Sequence, residues 1–251
     1  MNTLSAALLL SCGLAWSAEA PAQTPDNDPY ASARASMVAR IAAPTAEHPV
    51  TDSRVLDALR QVPRHLFVPK SLAPKAYSEE QLSIGKGQTI SEPAIVAYMT
   101  QTLEPRPADK VLEVGTGSGY QAAVLSRLAK EVYTIEIVPA LAKQAQSTLQ
   151  GLGYDNVWVK AGDGYRGWPE KAPFDAIIVT CAPDHIPAGL VDQLQLNGRL
   201  LIPVGVDKGG KWKTQALVVV RKTDKGMVEE KRLNVHFGPM KGEATKRKSS
   251  R

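Results

Sequence analysis

From Lys110 onward, short apolar runs alternate with helical segments, and this alternation constrains the fold more than any other feature of the chain. Five runs, at 111–114, 132–135, 157–159, 176–180 and 199–202, are dominated by β-branched and aliphatic residues. Near-continuous apolar strands separated by helices belong to a parallel sheet covered on both faces. Helical segments at 120–129 and 139–150 connect the first three runs, and the second places Leu141, Ala145 and Leu149 on one face. After Gly205, residues 215–221 and 228–237 flank the turn Thr223-Asp-Lys-Gly226, which predicts a terminal antiparallel hairpin. The expected class is α/β, a doubly wound and mostly parallel sheet of seven strands.

Upstream, residues 31–42 and 52–61 read as short helices, the second with Val55, Leu56 and Leu59 as its apolar face. Pro63, Pro69 and Pro74 then interrupt regular structure. Residues 84–93 read as a glycine-containing loop running into a helix at 92–103, with Pro93 in its first turn. No internal repeat is found. This gives an N-terminal helical segment with a substrate loop at 23–109 and a core at 110–240, folded together as one domain. A chain of 251 residues supports one sizeable core and one active site.

Charge and the termini narrow the function. The formal net charge is +5, but Lys241, Lys246, Arg247, Lys248 and Arg251 face only Glu243 in the last eleven residues. A basic tail at 241–251 without aromatic residues reads as a solvated terminus, so no nucleic-acid partner is expected. At the other end, the uncharged apolar run from Leu4 to Trp16, followed by small residues, reads as a signal peptide at 1–22, with Ala20 and Ala22 meeting the small-x-small rule. A lipoprotein reading with Cys12 as acceptor leaves a short apolar stretch. Removal of residues 1–22 would leave Cys181 as the sole thiol, which excludes a disulfide framework. His48, His65, His185 and His236 lack metal-ligand spacing, so no metal is expected, and no membrane span follows the N-terminal run.

The chemistry concentrates at strand ends. The first run delivers Glu113-Val-Gly-Thr-Gly-Ser-Gly-Tyr120, with Gly115, Gly117 and Gly119 alternating before a helix. Such glycines let a ligand lie on bare backbone at the carboxyl end of a strand. A dinucleotide fingerprint would want glycine where Tyr120 stands, whereas an acid followed by G-x-G-x-G suits S-adenosylmethionine, whose ammonium and sulfonium favour Glu113. Glu136 ends the second run, 21 positions beyond Gly115, where a carboxylate can accept from both ribose hydroxyls. Asp163, in Ala161-Gly-Asp-Gly164, is placed to accept from the adenine amino group while Gly164 lets the ring lie close; an ordinary Asp-Gly turn is the plain alternative. Cys181 reads as a small rim residue, not a nucleophile.

These stretches together resemble the protein-L-isoaspartate O-methyltransferase family over nearly the whole mature length. Residues 55–69 are similar to that family's N-terminal segment, and Gly87-Gln-Thr-Ile-Ser-Glu-Pro93 is the more specific match. Residues 193–205 and Val235-His-Phe-Gly-Pro-Met240 continue it. The resemblance implies a Rossmann-like methyltransferase fold and transfer of a methyl group from S-adenosylmethionine to the free α-carboxylate of isoaspartyl residues in damaged protein. It further implies that Ser91 is the active-site serine, aiming the substrate carboxylate, and that Thr89 helps close over the methionine end of the cofactor. Capping of the following helix is the alternative role for Ser91. Two positions depart from the family pattern: Glu92 stands where relatives usually carry an uncharged residue, and Cys181 where many carry alanine. The resemblance implies a cytoplasmic protein, against the periplasmic site that a signal peptide would give, and a monomer is expected. Competing readings are an NAD-dependent reductase, which Tyr120 opposes, a methyltransferase with another acceptor such as RNA, and a non-catalytic S-adenosylmethionine binder.

Overall fold

The computed structural model describes residues 28–205 and 215–242. The signal-peptide reading and all of the basic tail beyond Gly242 lie outside these residues. Helix α1 (Ala31–Ala42) buries Arg34, Met37, Val38 and Ile41, the i, i+3, i+4, i+7 stripe of an amphipathic helix. Helix α2 (Ser53–Gln61) starts at Asp52, whose side chain accepts from the Arg54 amide, and it buries Val55, Leu56, Ala58 and Leu59. The prolines that follow confine the chain to two 3-10 turns, Arg64–Phe67 and Lys70–Lys75.

The expected loop at 84–93 is instead mostly a hairpin. Strands β1 (Leu82–Gly85) and β2 (Gln88–Ile90) pair antiparallel, and Lys86 (φ 55) and Gly87 (φ 69) supply the two positive-φ positions that a tight primed turn needs. Strands of four and three residues are too short for their alternation to register in the sequence. Helix α3 (Pro93–Leu103) follows, with proline in its first turn and Glu104 in the left-handed region at its end.

The core then runs β3 (Lys110–Val114), α4 (Tyr120–Leu125), β4 (Glu131–Glu136), α5 (Pro139–Gly151), β5 (Val157–Ala161), β6 (Phe174–Val179), α6 (Ala188–Asp192), β7 (Leu194–Val204), β8 (Gln215–Thr223) and β9 (Gly226–Val235). The seven-stranded sheet has the order β5-β4-β3-β6-β7-β8-β9; β3 to β7 are parallel, and β8 and β9 are antiparallel to their neighbours. The doubly wound sheet and the terminal hairpin are therefore as expected. Two segments differ. Helix α4 stops at Leu125, short of residue 129, and the β5–β6 connection is a pair of 3-10 turns, Gly164–Arg166 and Pro169–Lys171, where a longer helix is the usual crossover.

Strand residues alternate between two apolar layers. Val111, Val132, Ala176 and Leu201 pack with α1 to α5, whereas Leu112, Tyr133, Ile177 and Leu200 face α6 and the 3-10 turns. Because the winding direction reverses between β3 and β6, the carboxyl ends of these strands open a crevice. One buried cation ties the N-terminal helices to the sheet. Arg199 on β7 donates from Nε to the Leu103 carbonyl (2.7 Å) and from Nη2 to the Glu104 carbonyl (2.8 Å) and Asp109 Oδ2 (3.0 Å). Among the described residues, no helix is long and apolar enough to cross a membrane.

Removing one partner of a buried pair strands the other charge, so Asp109→Ala should lower unfolding stability by about 3 kcal/mol. Urea titration checks this, and a loss under about 1 kcal/mol would show that the two carbonyls suffice to hold Arg199.

Candidate active site

The crevice above β3 and β6 holds a cavity whose floor is the glycine loop. Gly115 (φ 108) approaches Thr180 so closely that a Cβ there would strike the threonine Oγ1, and that hydroxyl donates to the Gly115 carbonyl (2.8 Å). Gly117 (φ 54) turns its amide outward to Glu136 Oε2 (2.8 Å). Glu136 Oε1 accepts from the Val138 amide (2.9 Å), so two main-chain donors hold this carboxylate at the end of β4, lining the cavity. Gly164 forms the opposite wall; a Cβ there would collide with Val114 and come within 3.1 Å of Met240 Cε.

Glu113 sits at the base of the cavity, fully buried. Thr134 Oγ1 donates to its Oε2 (2.6 Å), and Thr116 Oγ1 lies 2.6 Å from Thr134 Oγ1. Its Oε1 has no hydrogen-bond partner. Burial pushes the Glu113 pKa up to about 8, with the neighbouring Glu136 charge adding to the rise. An orphaned buried carboxylate oxygen facing a cavity is a receptor for a cation or a strong donor. With the bare-backbone cradle and the strand-end Glu136, the donor set fits the ammonium and ribose of S-adenosylmethionine. Cys181 also lines the cavity, but burial, then Glu136 and Glu113, push its thiol up to about 12, so it remains neutral and is no nucleophile.

Of the residues singled out in the sequence, Thr89, Ser91, Glu113, Gly115, Gly117, Glu136 and Gly164 all line this cavity. Gly119 and Asp163 do not. Gly119 (φ 90) caps α4, and a Cβ there would press within 3.1 Å of Leu149, so its absence allows α4 to pack on α5. Asp163 Oδ1 accepts from the Tyr165 amide (3.0 Å), capping the turn that presents Gly164, and its carboxylate abuts Gly242. That is the Asp-Gly turn reading. The tail boundary also moves, because Lys241 is part of the cavity wall. The C-terminal segment reaches the site through main-chain bonds from the Ala182 amide to the Gly238 carbonyl and from the Met240 amide to the Ala182 carbonyl, both 2.8 Å.

A second chamber adjoins the first. Ser91, Ile95 and Phe237 line both, and Glu47, His48, Glu92 and His236 belong to the outer one. The hairpin presents Thr89 to the first chamber and leads into Ser91 at the junction, with the Thr89 hydroxyl donating to Gln81 Oε1 (3.3 Å). Glu92, not Ser91, is the N-cap residue of α3, and no side chain caps that helix. Sequence reasoning assigned no role to Phe237, Met240 or Tyr120, all of which shape the walls; the Val235–Met240 similarity was the signal for the first two. No group of three metal-ligating side chains occurs among the described residues.

A family model described as Protein-L-isoaspartate(D-aspartate) O-methyltransferase matches residues 39–245. A protein-L-isoaspartate O-methyltransferase of Synechococcus sp. is 50% identical over 225 residues, covering 88% of this chain and 91% of that protein. Its counterpart from Gloeobacter violaceus is 54% identical over 186 residues, with coverage of 74% and 89%. A solved protein-L-isoaspartate O-methyltransferase structure superposes with a TM-score of 0.73 at 28% identity, covering 83% of this chain and 66% of that one. A Plasmodium falciparum structure containing S-adenosyl-L-homocysteine shares the fold, with a TM-score of 0.70 at 23% identity and coverage of 86% and 99%.

The raised Glu113 pKa has a definite sign. Between its ordinary value of 4.5 and about 8 the folded chain holds a proton that the unfolded chain has lost, so ligand-free stability should fall as pH rises through that window. A cationic ligand favours the carboxylate and releases that proton. Affinity for S-adenosylhomocysteine, which keeps the ammonium, should therefore rise from pH 6 to 8, by at most about tenfold per unit, and Glu113→Gln should flatten the rise. Calorimetric titration at three pH values checks this; a pH-independent wild-type affinity would remove Glu113 from the cofactor site.

Proposed function

Since the chain belongs to the protein-L-isoaspartate (D-aspartate) O-methyltransferase family, we propose that its two chambers bring S-adenosylmethionine and the free α-carboxylate of an L-isoaspartyl residue together at Ser91. The protein is an S-adenosylmethionine-dependent methyltransferase acting on isoaspartyl residues of damaged proteins. The resulting methyl ester closes to a succinimide as the adjoining backbone amide nitrogen, losing its proton, displaces methanol, and addition of water across that ring restores some normal aspartate. The observation that carries the reading is the junction itself: Ser91, Ile95 and Phe237 belong to both chambers, so a donor in one meets an acceptor in the other.

Bound S-adenosylmethionine supplies an electrophilic methyl group on a sulfonium. Glu113 would hold the ammonium, Glu136 the ribose hydroxyls, and Gly115, Gly117 and Gly164 the close approach of the ligand to main chain. Asp163 would act one step back, by setting the turn that carries Gly164. Thr89 and the hairpin would close over the methionine end. Ser91 would donate to the acceptor carboxylate and aim one oxygen along the line of displacement. The carboxylate attacks as the anion, whose reference pKa is about 3.5, so no general base is required at neutral pH. The apolar junction strips water from that anion and strengthens its interactions.

Two peptides differing only in isoaspartate or aspartate, incubated with labelled S-adenosylmethionine, test the activity. Label should appear in the isoaspartyl peptide alone; label in neither would sink the reading. Glu136→Ala should weaken S-adenosylhomocysteine binding by about tenfold or more, the worth of a charge-assisted bond pair, while Ser91→Ala should lower kcat and leave cofactor affinity within about twofold. Equal cofactor affinity in wild type and Glu136→Ala would refute the ribose assignment.

A further inference from the structure

Three arginines are buried among the described residues, and two of them meet a carboxylate. Arg34 Nη1 lies 2.6 Å from Asp28 Oδ2, and Arg199 Nη2 lies 3.0 Å from Asp109 Oδ2. Arg64 is the most enclosed, at 0% exposure, yet it forms no ion pair with any described carboxylate. Its Nε donates to the Ala76 carbonyl (2.8 Å) and its Nη2 to the Ser91 carbonyl (2.6 Å). Its guanidinium carbon sits 4.8 Å over the Tyr120 ring, and Nη1 has no hydrogen-bond partner. The titratable groups that act on it are the phenols of Tyr120 and Tyr77, which are neutral, and no acid is among them.

A buried cation without a counter-ion is costly, and a neutral side chain of similar length would avoid that cost. What this arrangement provides is a positive charge on the Ser91 carbonyl, in a site lined by Glu113 and Glu136 below the junction and Glu47 and Glu92 beyond it, with Lys241 as the one lysine or arginine among the described residues of either lining. An acceptor anion arriving there meets like charge unless something offsets it.

We propose that Arg64 is the positioning residue of the acceptor end: it fixes the Ser91 main chain at the junction, and its uncompensated charge favours the carboxylate that docks there. The missing counter-ion is thus the substrate. This rests on the acceptor being a carboxylate, as in the proposed function. The interaction acts through a buried, poorly screened path, so it should weigh on acceptor binding and hardly at all on the cofactor.

The test compares Arg64→Lys with Arg64→Met, which are similar in length and differ in charge. Acceptor KM for an isoaspartyl peptide and Kd for S-adenosylhomocysteine are measured for both and for wild type. Arg64→Met should raise acceptor KM about tenfold or more, with S-adenosylhomocysteine Kd within about twofold, and Arg64→Lys should recover most of the KM while kcat stays reduced. An unchanged acceptor KM in Arg64→Met overturns the assignment, as does an equal loss of acceptor and cofactor affinity in both variants. Should Arg64→Met fail to bind S-adenosylhomocysteine, Arg64→Lys decides: with the charge retained and cofactor binding intact, a tenfold rise in acceptor KM refutes the role of the charge. A wild-type protein that methylates no isoaspartyl peptide would overturn the underlying function instead.

Discussion

The structure depends on β3 being hydrogen-bonded in parallel along both edges, to β4 on one side and β6 on the other. That pairing places Glu113 between Thr134 and Ile178 and so forces an acid into the middle of a sheet. It also brings the carboxyl ends of three strands to one edge, where Gly115, Glu136 and Thr180 meet. The sheet hydrogen bonds continue past the strand: the Gly115 amide donates to the Ile135 carbonyl and the Thr180 amide to the Val114 carbonyl. The ligand-facing loops are thus extensions of the ladder, rigid because their donors and acceptors are already committed.

The parts legible in the sequence were those with a local physical signature. Strands β3, β4 and β6 are apolar on both faces because both faces are covered, and they stand out for that reason. Glu136 was legible by distance from the glycine loop, because one strand–helix–strand unit sets that distance. Gly119 and Asp163 show the limit of motif reading. Gly119 also meets Leu149 of α5 and Asp163 also caps the turn at Tyr165, contacts that only three-dimensional neighbours reveal. Arg64 illustrates the same limit more sharply: a proline-flanked arginine in a 3-10 turn gives no sign that its acceptors lie 12 and 27 residues downstream. The outer chamber was illegible because its walls come from the 47–48 loop, the hairpin and the strand-end residues 233–237.

Electrostatically, the site is divided. The cofactor chamber is acidic and partly protonated when empty of a cation, since burial holds Glu113 near 8. The glycine loop dispenses with side chains, so this buried carboxylate lies at the base of the ligand space beneath main chain. Across the junction the requirement reverses, because the acceptor is an anion. The two demands are met by groups at different depths, the acids at the strand ends and Arg64 behind the hairpin, with the Tyr120 ring between them. Tyr120 both lines the cofactor chamber and carries the guanidinium over its ring. This is a division of labour that a pattern of conserved-looking glycines does not disclose.

The clasp between Ala182 and residues 238–240 carries a consequence for biosynthesis. A nascent chain exposes β3, the glycine loop and β4 early, and these can pair as soon as they clear the ribosome, since their contacts are close in sequence. Met240, which meets the wall at Gly164, and Lys241 join the cavity lining from more than 70 residues further along the chain. The binding site is therefore unfinished until residues 240 and 241 have been made and have left the ribosome. A polypeptide interrupted upstream of this clasp has the means to build most of the sheet, yet lacks the last wall of the pocket. For an enzyme whose substrates are damaged proteins, this ordering ties competence to the presence of residues 238–241.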